Sequence, residues 1–152
     1  MAEHFLADEA ETRAAGTRLA NHLRERSWVI YLKGQLGAGK TTFARGLLAG
    51  LGHTGKVKSP SFTLLEPYTL EHWDVFHLDL YRLVDPEEVA FLGLRDLSAG
   101  QHSIVLVEWP EHGQGWLPAA DLLVTLIPQD EGRMLHIQAE SALGREALKP
   151  EV

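Results

Sequence analysis

Lys40 and Thr41 close a glycine-rich run, Gly34-Gln35-Leu36-Gly37-Ala38-Gly39, whose spacing suits a chain of phosphates. A polyphosphate has to be wrapped by backbone N–H groups that all point inward. Only glycine lets the backbone approach that closely. In this pattern the lysine reaches the outer phosphates as a point charge, and the hydroxyl of Thr41 is placed on a bound Mg²⁺. An acidic partner for that ion belongs at the end of a neighbouring buried strand. Ser103-Ile104-Val105-Leu106-Val107-Glu108, an apolar run ending in a carboxylate, has this form. The metal role for Glu108 is therefore favoured over a solvated strand end.

Asp79 is the competing carboxylate. In Val75-Phe76-His77-Leu78-Asp79-Leu80-Tyr81, alternation puts His77, Asp79 and Tyr81 on one face. Such a face can be a plain solvent-facing pattern, can orient an attacking water, or can support the metal indirectly. Trp109 follows Glu108 directly, as an aromatic that stacks on a partner or base or as a buried anchor. Ser59-Pro60-Ser61-Phe62-Thr63 reads as a segment sensing the last phosphate or as a loop entering a strand. None of the eight histidines has metal-ligand spacing.

These residues need elements to hold them. Trp28 to Leu32 reads as a strand, and Lys40 to Leu51 as a helix with Phe43, Leu47, Leu48 and Leu51 on its apolar face, ending at Gly52. Strand, glycine loop and helix N-terminus together make an anion site. Before them, His4 to Ala7 reads as a short edge strand. Asp8 and Glu11 form a capping box that opens a helix to about Arg26, with Ala15, Leu19 and Leu23 facing inward. Beyond them, an extended run ending near Tyr68 and a second at Trp73 to Tyr81 predict an antiparallel hairpin. Asp85-Pro86-Glu87-Glu88 starts a helix that ends near Gly93, followed by a short helical turn to about Ser98. Ser103 to Val107 is a buried parallel strand. Leu122 to Ile127 and Met134 to Ala139 are two late strands, and the tail from Ser141 is weakly helical. The pattern predicts an α/β fold with a mixed sheet flanked by helices.

The chain's 152 residues suit one domain, covering 1–152. With no cysteine there are no disulfides and no thiolate metal sites, which fits the cytoplasm. No apolar run is long enough to span a bilayer, and the acidic N-terminal residues do not resemble a signal peptide. A net charge of −7, from 21 acidic against 14 basic side chains, disfavours independent binding to DNA or RNA.

In this order and spacing, GQLGAGKTT, KSPSFTLLEPY, HLDLYRLVDPEE, GLRD and VEWPE resemble the TsaE (YjeE) family. The resemblance covers about Ile30 to Pro118. It implies a P-loop NTPase-like fold and a bacterial ATPase needed to make threonylcarbamoyladenosine in tRNA. It further implies ATP and Mg²⁺ as ligands and TsaB and TsaD as protein partners, with tRNA met only through that complex. By the same resemblance Leu36, Gly37, Ala38, Gly39, Lys40, Thr41 and Thr42 hold the nucleotide, and Thr41 and Glu108 bind Mg²⁺. Asp79 lies at the nucleotide site and is implicated in activity. Glu9 and Arg133 resemble two outlying nucleotide contacts. One departure is Gln35, where the family usually has aspartate. It leaves phosphate binding intact and puts in doubt any role of that carboxylate.

Other readings compete. A small-molecule kinase is the main alternative, although no arginine-rich lid is visible. A GTPase is disfavoured because the only asparagine, Asn21, precedes the loop, so the guanine-reading motif cannot occur. A non-hydrolysing, nucleotide-gated scaffold is opposed by Glu108 and Asp79.

Overall fold

A computed structural model describes residues 2–24, 26–57, 64–98 and 100–149. Strand β1 (Ala2–Leu6) leads into helix α1 (Glu9–Asn21). The Asp8 side chain caps α1 by accepting from the Glu11 N–H at 2.9 Å, and the Glu11 carboxylate accepts from the Ala7 N–H. The helix stops at Asn21, not near Arg26. His22 caps it, Leu23 turns into the core, and Arg24 uses its carbonyl to hold the Trp28 indole N–H at 2.9 Å. The apolar spacing continues past Asn21, but the chain has to turn there to enter strand β2 (Trp28–Gly34).

Helix α2 (Lys40–Gly50) follows the glycine loop and buries Phe43, Leu47 and Leu48. The segment Ser59–Thr63 lies outside the described residues. Strands β3 (Leu65–Thr69) and β4 (Asp74–Asp79) form the expected antiparallel hairpin. Asp85 caps a 3₁₀ helix over Pro86–Leu92. It ends where Gly93 takes φ +67°, before the short helix α3 (Leu94–Ser98). Strand β5 (Ser103–Glu108), buried at every position, is followed by a 3₁₀ turn at Pro110–Gly113. Strands β6 (Leu122–Gln129) and β7 (Gly132–Ala139) form the late hairpin, and α4 (Ala142–Ala147) closes the chain. No helix of the described residues is long and apolar enough to cross a membrane.

The strands of the described residues form one sheet in the order β1-β7-β6-β2-β5-β4-β3. Four central strands, β6-β2-β5-β4, run parallel, and antiparallel strands flank them. The fold is therefore α/β with a mixed sheet, as the sequence pattern predicts. One face packs against α1 and α2 through Ile30, Leu32, Leu106 and Val124. The other packs Val105, Val107 and Leu78 against the segment containing Val89 and Leu94. Register brings Leu32 of β2 and Asp79 of β4 level with Glu108 of β5, so three parallel strands end side by side. In open α/β sheets this carboxyl edge is where ligands bind.

Helices α1 and α2 touch backbone to backbone. A Cβ on Gly46 would lie 1.9 Å from the Arg13 carbonyl oxygen, and one on Gly16 would lie 2.2 Å from that of Phe43. The Thr17 hydroxyl donates to the Gly46 carbonyl across this contact at 2.8 Å. No flexible side chain is there to give way, so Gly46→Ala has to push α1 off α2. We expect a loss of about 1–3 kcal/mol, the range for overpacked interiors, read as a lower denaturant midpoint at unchanged slope. An unshifted midpoint would contradict this packing.

Candidate functional site

The loop between β2 and α2 turns on Gly37 (φ +81°) and Gly39 (φ +109°), a region that L side chains rarely adopt. At Gly39 space is short as well, since an added Cβ would lie 3.1 Å from Arg133 Nη1. The loop borders a cavity of about 280 Å³ lined by Glu9, Leu36, Gly37, Gly39, Lys40, Thr41, Thr42, Asp79, Glu108 and Arg133, with Tyr81 and Trp109. Of the residues that the family resemblance assigns to nucleotide, metal or activity, Ala38 alone is not in this lining. It is buried beneath the loop at 3% exposure. Leu36 is 71% exposed at the loop's tip. Glu9, the first residue of α1, and Arg133, on β7, come from outside the motif blocks and complete one wall. Arg133 Nη1 donates to the Thr12 hydroxyl at 3.1 Å, and Thr12 in turn donates to the Asp8 carbonyl at 2.9 Å.

Glu108 is almost fully buried, and its two carboxylate oxygens have different partners. Oε1 accepts from the Thr41 hydroxyl at 3.3 Å, and Oε2 lies 2.6 Å from His77 Nε2. The face of His77 and Asp79 is therefore not a solvent-facing pattern. His77 is fully buried, and Asp79 is half-buried with Oδ1 accepting from the Tyr81 N–H at 3.0 Å. Burial raises the Asp79 carboxyl above its ordinary pKa. The Tyr81 bond opposes the rise, Glu108 adds to it, and His77 and Lys40 oppose it.

Lys40 is only 5% exposed. Its ammonium donates to the Gly34 carbonyl and, at 3.2 Å, to that of Gln35. It also lies 3.8 Å from the centre of the Trp109 ring, a cation–π contact. Burial lowers the Lys40 pKa, while the Glu108, Asp79 and Glu111 carboxylates oppose the shift. Trp109 is half-buried, tilted against Tyr81 (5.0 Å) and stacked on His112 (5.3 Å), and takes φ +57°. A bulky side chain in that region is a genuine outlier, costing about 1–3 kcal/mol and typical of functional sites. Trp109 thus roofs the lysine, a role that its position after Glu108 hints at but does not specify. Thr12 and the links of His77 and Arg133 carry no short-range sequence signal at all.

The donors suit phosphates and a hard cation. Inward-turning glycines and a buried ammonium match anionic oxygens. A hydroxyl and a carboxylate 3.3 Å apart are oxygen ligands of the kind Mg²⁺ takes when it keeps waters and phosphate oxygens as its other ligands. Among the described residues, no three His, Cys, Asp or Glu side chains are grouped to hold a metal ion by themselves.

Fold and site together define an α/β protein with a strand–glycine loop–helix unit facing a buried carboxylate at the carboxyl edge of its parallel strands. The model of the family "Threonylcarbamoyl adenosine biosynthesis protein TsaE" matches residues 6–135. A Haemophilus influenzae protein, "tRNA threonylcarbamoyladenosine biosynthesis protein TsaE", is 45% identical over 145 residues, covering 93% of this chain and 91% of that one. A Nostoc protein of the same description is 42% identical over 135 residues, covering 87% and 82%. The crystal structure of Bacillus subtilis YdiB superposes with a TM-score of 0.80 at 28% identity, covering 96% of this chain and 90% of that one. The chain belongs to the TsaE family, which serves tRNA threonylcarbamoyladenosine biosynthesis.

Proposed function

We propose that this chain is a Mg²⁺-dependent ATPase, working as a single cytoplasmic domain, that binds and resets a complex of TsaB and TsaD. In this reading it does not modify tRNA itself and meets tRNA only through that complex. The supporting observation is the convergence of Lys40, Thr41, Glu108 and Asp79 on one glycine loop. The loop N–H groups and the Lys40 ammonium bind the phosphates, and the wall of Glu9, Thr42 and Arg133 holds the rest of the nucleotide. Thr41 and Glu108 would hold Mg²⁺, which when bound neutralises charge on the outer phosphates. Asp79 orients the attacking water and accepts its proton. The new bond joins the water oxygen to the terminal phosphorus. The bond that breaks joins that phosphorus to the bridging oxygen, leaving ADP and phosphate.

The test is phosphate release from ATP, measured alone, with TsaB and TsaD, and with small-molecule acceptors. Slow release alone, accelerated by the two proteins, is the expected result. Transfer to an acceptor with no response to the proteins would make the chain a kinase.

A further inference from the structure

We propose that His77 is a positioning residue for Glu108, and that it tunes which divalent cation the site accepts. The inference rests on the reading of Glu108 as a Mg²⁺ ligand. His77 lies on β4 at a position whose neighbours along the face are Val75 and Asp79, and it is 0% exposed. An apolar side chain would serve that place in the core at no polar cost. The ring instead spends its one polar contact on Glu108 Oε2 at 2.6 Å, and its Nδ1 has no partner among the described residues. A buried polar atom left unpaired is costly, and one kept at such a site calls for a functional reason.

The geometry supplies that reason. A carboxylate only accepts, so Nε2–H donates to Oε2 and anchors one end of the carboxylate. Oε1 is left level with the Thr41 hydroxyl. With rotation blocked, the two oxygen ligands stand ready together. Because Oε2 is engaged by the ring, Glu108 offers one oxygen and not two. Mg²⁺ favours one oxygen per carboxylate in a strict octahedron, whereas Ca²⁺ readily takes both. His77 therefore both strengthens metal binding and biases it toward the smaller ion.

The experiment measures ATP affinity by calorimetry in EDTA, in Mg²⁺ and in Ca²⁺. The variants are His77→Leu, His77→Gln, Glu108→Gln and the Leu–Gln double variant. His77→Leu should keep its EDTA affinity within about twofold and lose about 10–100-fold of the Mg²⁺ enhancement, the usual effect of removing a ligand's hydrogen-bond partner. The Ca²⁺ enhancement should fall less, so preference moves toward Ca²⁺. His77→Gln, which keeps an N–H near the Nε2 position, should recover much of the loss. In the Glu108→Gln background the leucine should have no further effect. If His77→Leu does not fold, His77→Asn, too short to reach Oε2, takes its place. Undiminished Mg²⁺ enhancement at position 77, with Glu108→Gln impaired, would overturn this inference alone. A loss that persists in the Glu108→Gln background would do the same. An unimpaired Glu108→Gln would remove the reading on which it rests.

Discussion

Lys40→Ala is expected to weaken ATP binding by roughly 10²–10⁴-fold, the effect of losing two charge-assisted hydrogen bonds at about 1.5–3 kcal/mol each. The circular dichroism spectrum should stay native. Lys40 is buried, yet its burial does not stabilise the fold as a charge. Because its folded pKa is lowered, the native state holds fewer protons than the unfolded state between the lowered value and the ordinary one. Stability on this account rises as pH rises through that window. Below that window the buried ammonium is a cost. Alanine removes that cost together with the contacts to Gly34, Gln35 and Trp109, so the melting temperature should change little. Calorimetry with ATP and a thermal melt check both halves. Unchanged ATP affinity in a folded variant would remove the phosphate assignment.

Glu108→Gln and Asp79→Asn should fail differently. The first keeps size and hydrogen bonding but removes the carboxylate charge facing Mg²⁺, so metal-dependent affinity and hydrolysis should both fall, each on the order of 100-fold. The second should cost about 100-fold or more in hydrolysis, as for a lost general base, with Mg²⁺-dependent affinity largely kept. The pH profile separates them further. With its pKa raised by burial, Asp79 gains its charge at a higher pH than an ordinary carboxylate. The acid limb of the hydrolysis rate should be displaced upward and should vanish in Asp79→Asn. The same shift means that the native state binds the extra proton, so stability falls as pH rises through that window and Asp79→Asn loses none at neutral pH. A greater loss of Mg²⁺ dependence in Asp79→Asn than in Glu108→Gln would reverse the two roles.

Much of this site is written locally. The strand before Gly34, the helix after Gly39 and the apolar run ending at Glu108 each depend on neighbours in sequence, and the structure has all three. The hairpin of β3 and β4 and the capping of α1 by Asp8 are local in the same way. Other features depend on distant partners. Arg133 meets Thr12 across 121 positions, and His77 meets Glu108 across 31, so no window of periodicity contains either pair. Family resemblance pointed to Glu9 and Arg133 where spacing could not. Nor does Gly46 announce itself, because a helical glycine looks like a weak helix former until α1 is laid against it. The sequence pattern carries α1 past its true end at Asn21 because Leu23 keeps the helical spacing while the chain is already turning toward Trp28.

The proposed function couples ATP binding in this pocket to binding of the TsaB–TsaD complex. The most direct measurement is ATP affinity in Mg²⁺ by calorimetry, with and without the TsaB–TsaD complex, paired with the affinity for that complex with and without ATP. Linkage requires both affinities to change by the same factor. A coupled increase of about 5–150-fold, the usual range for such coupling, is the predicted result. ATP affinity that does not move when the complex is added, in protein that still binds both, would contradict the account.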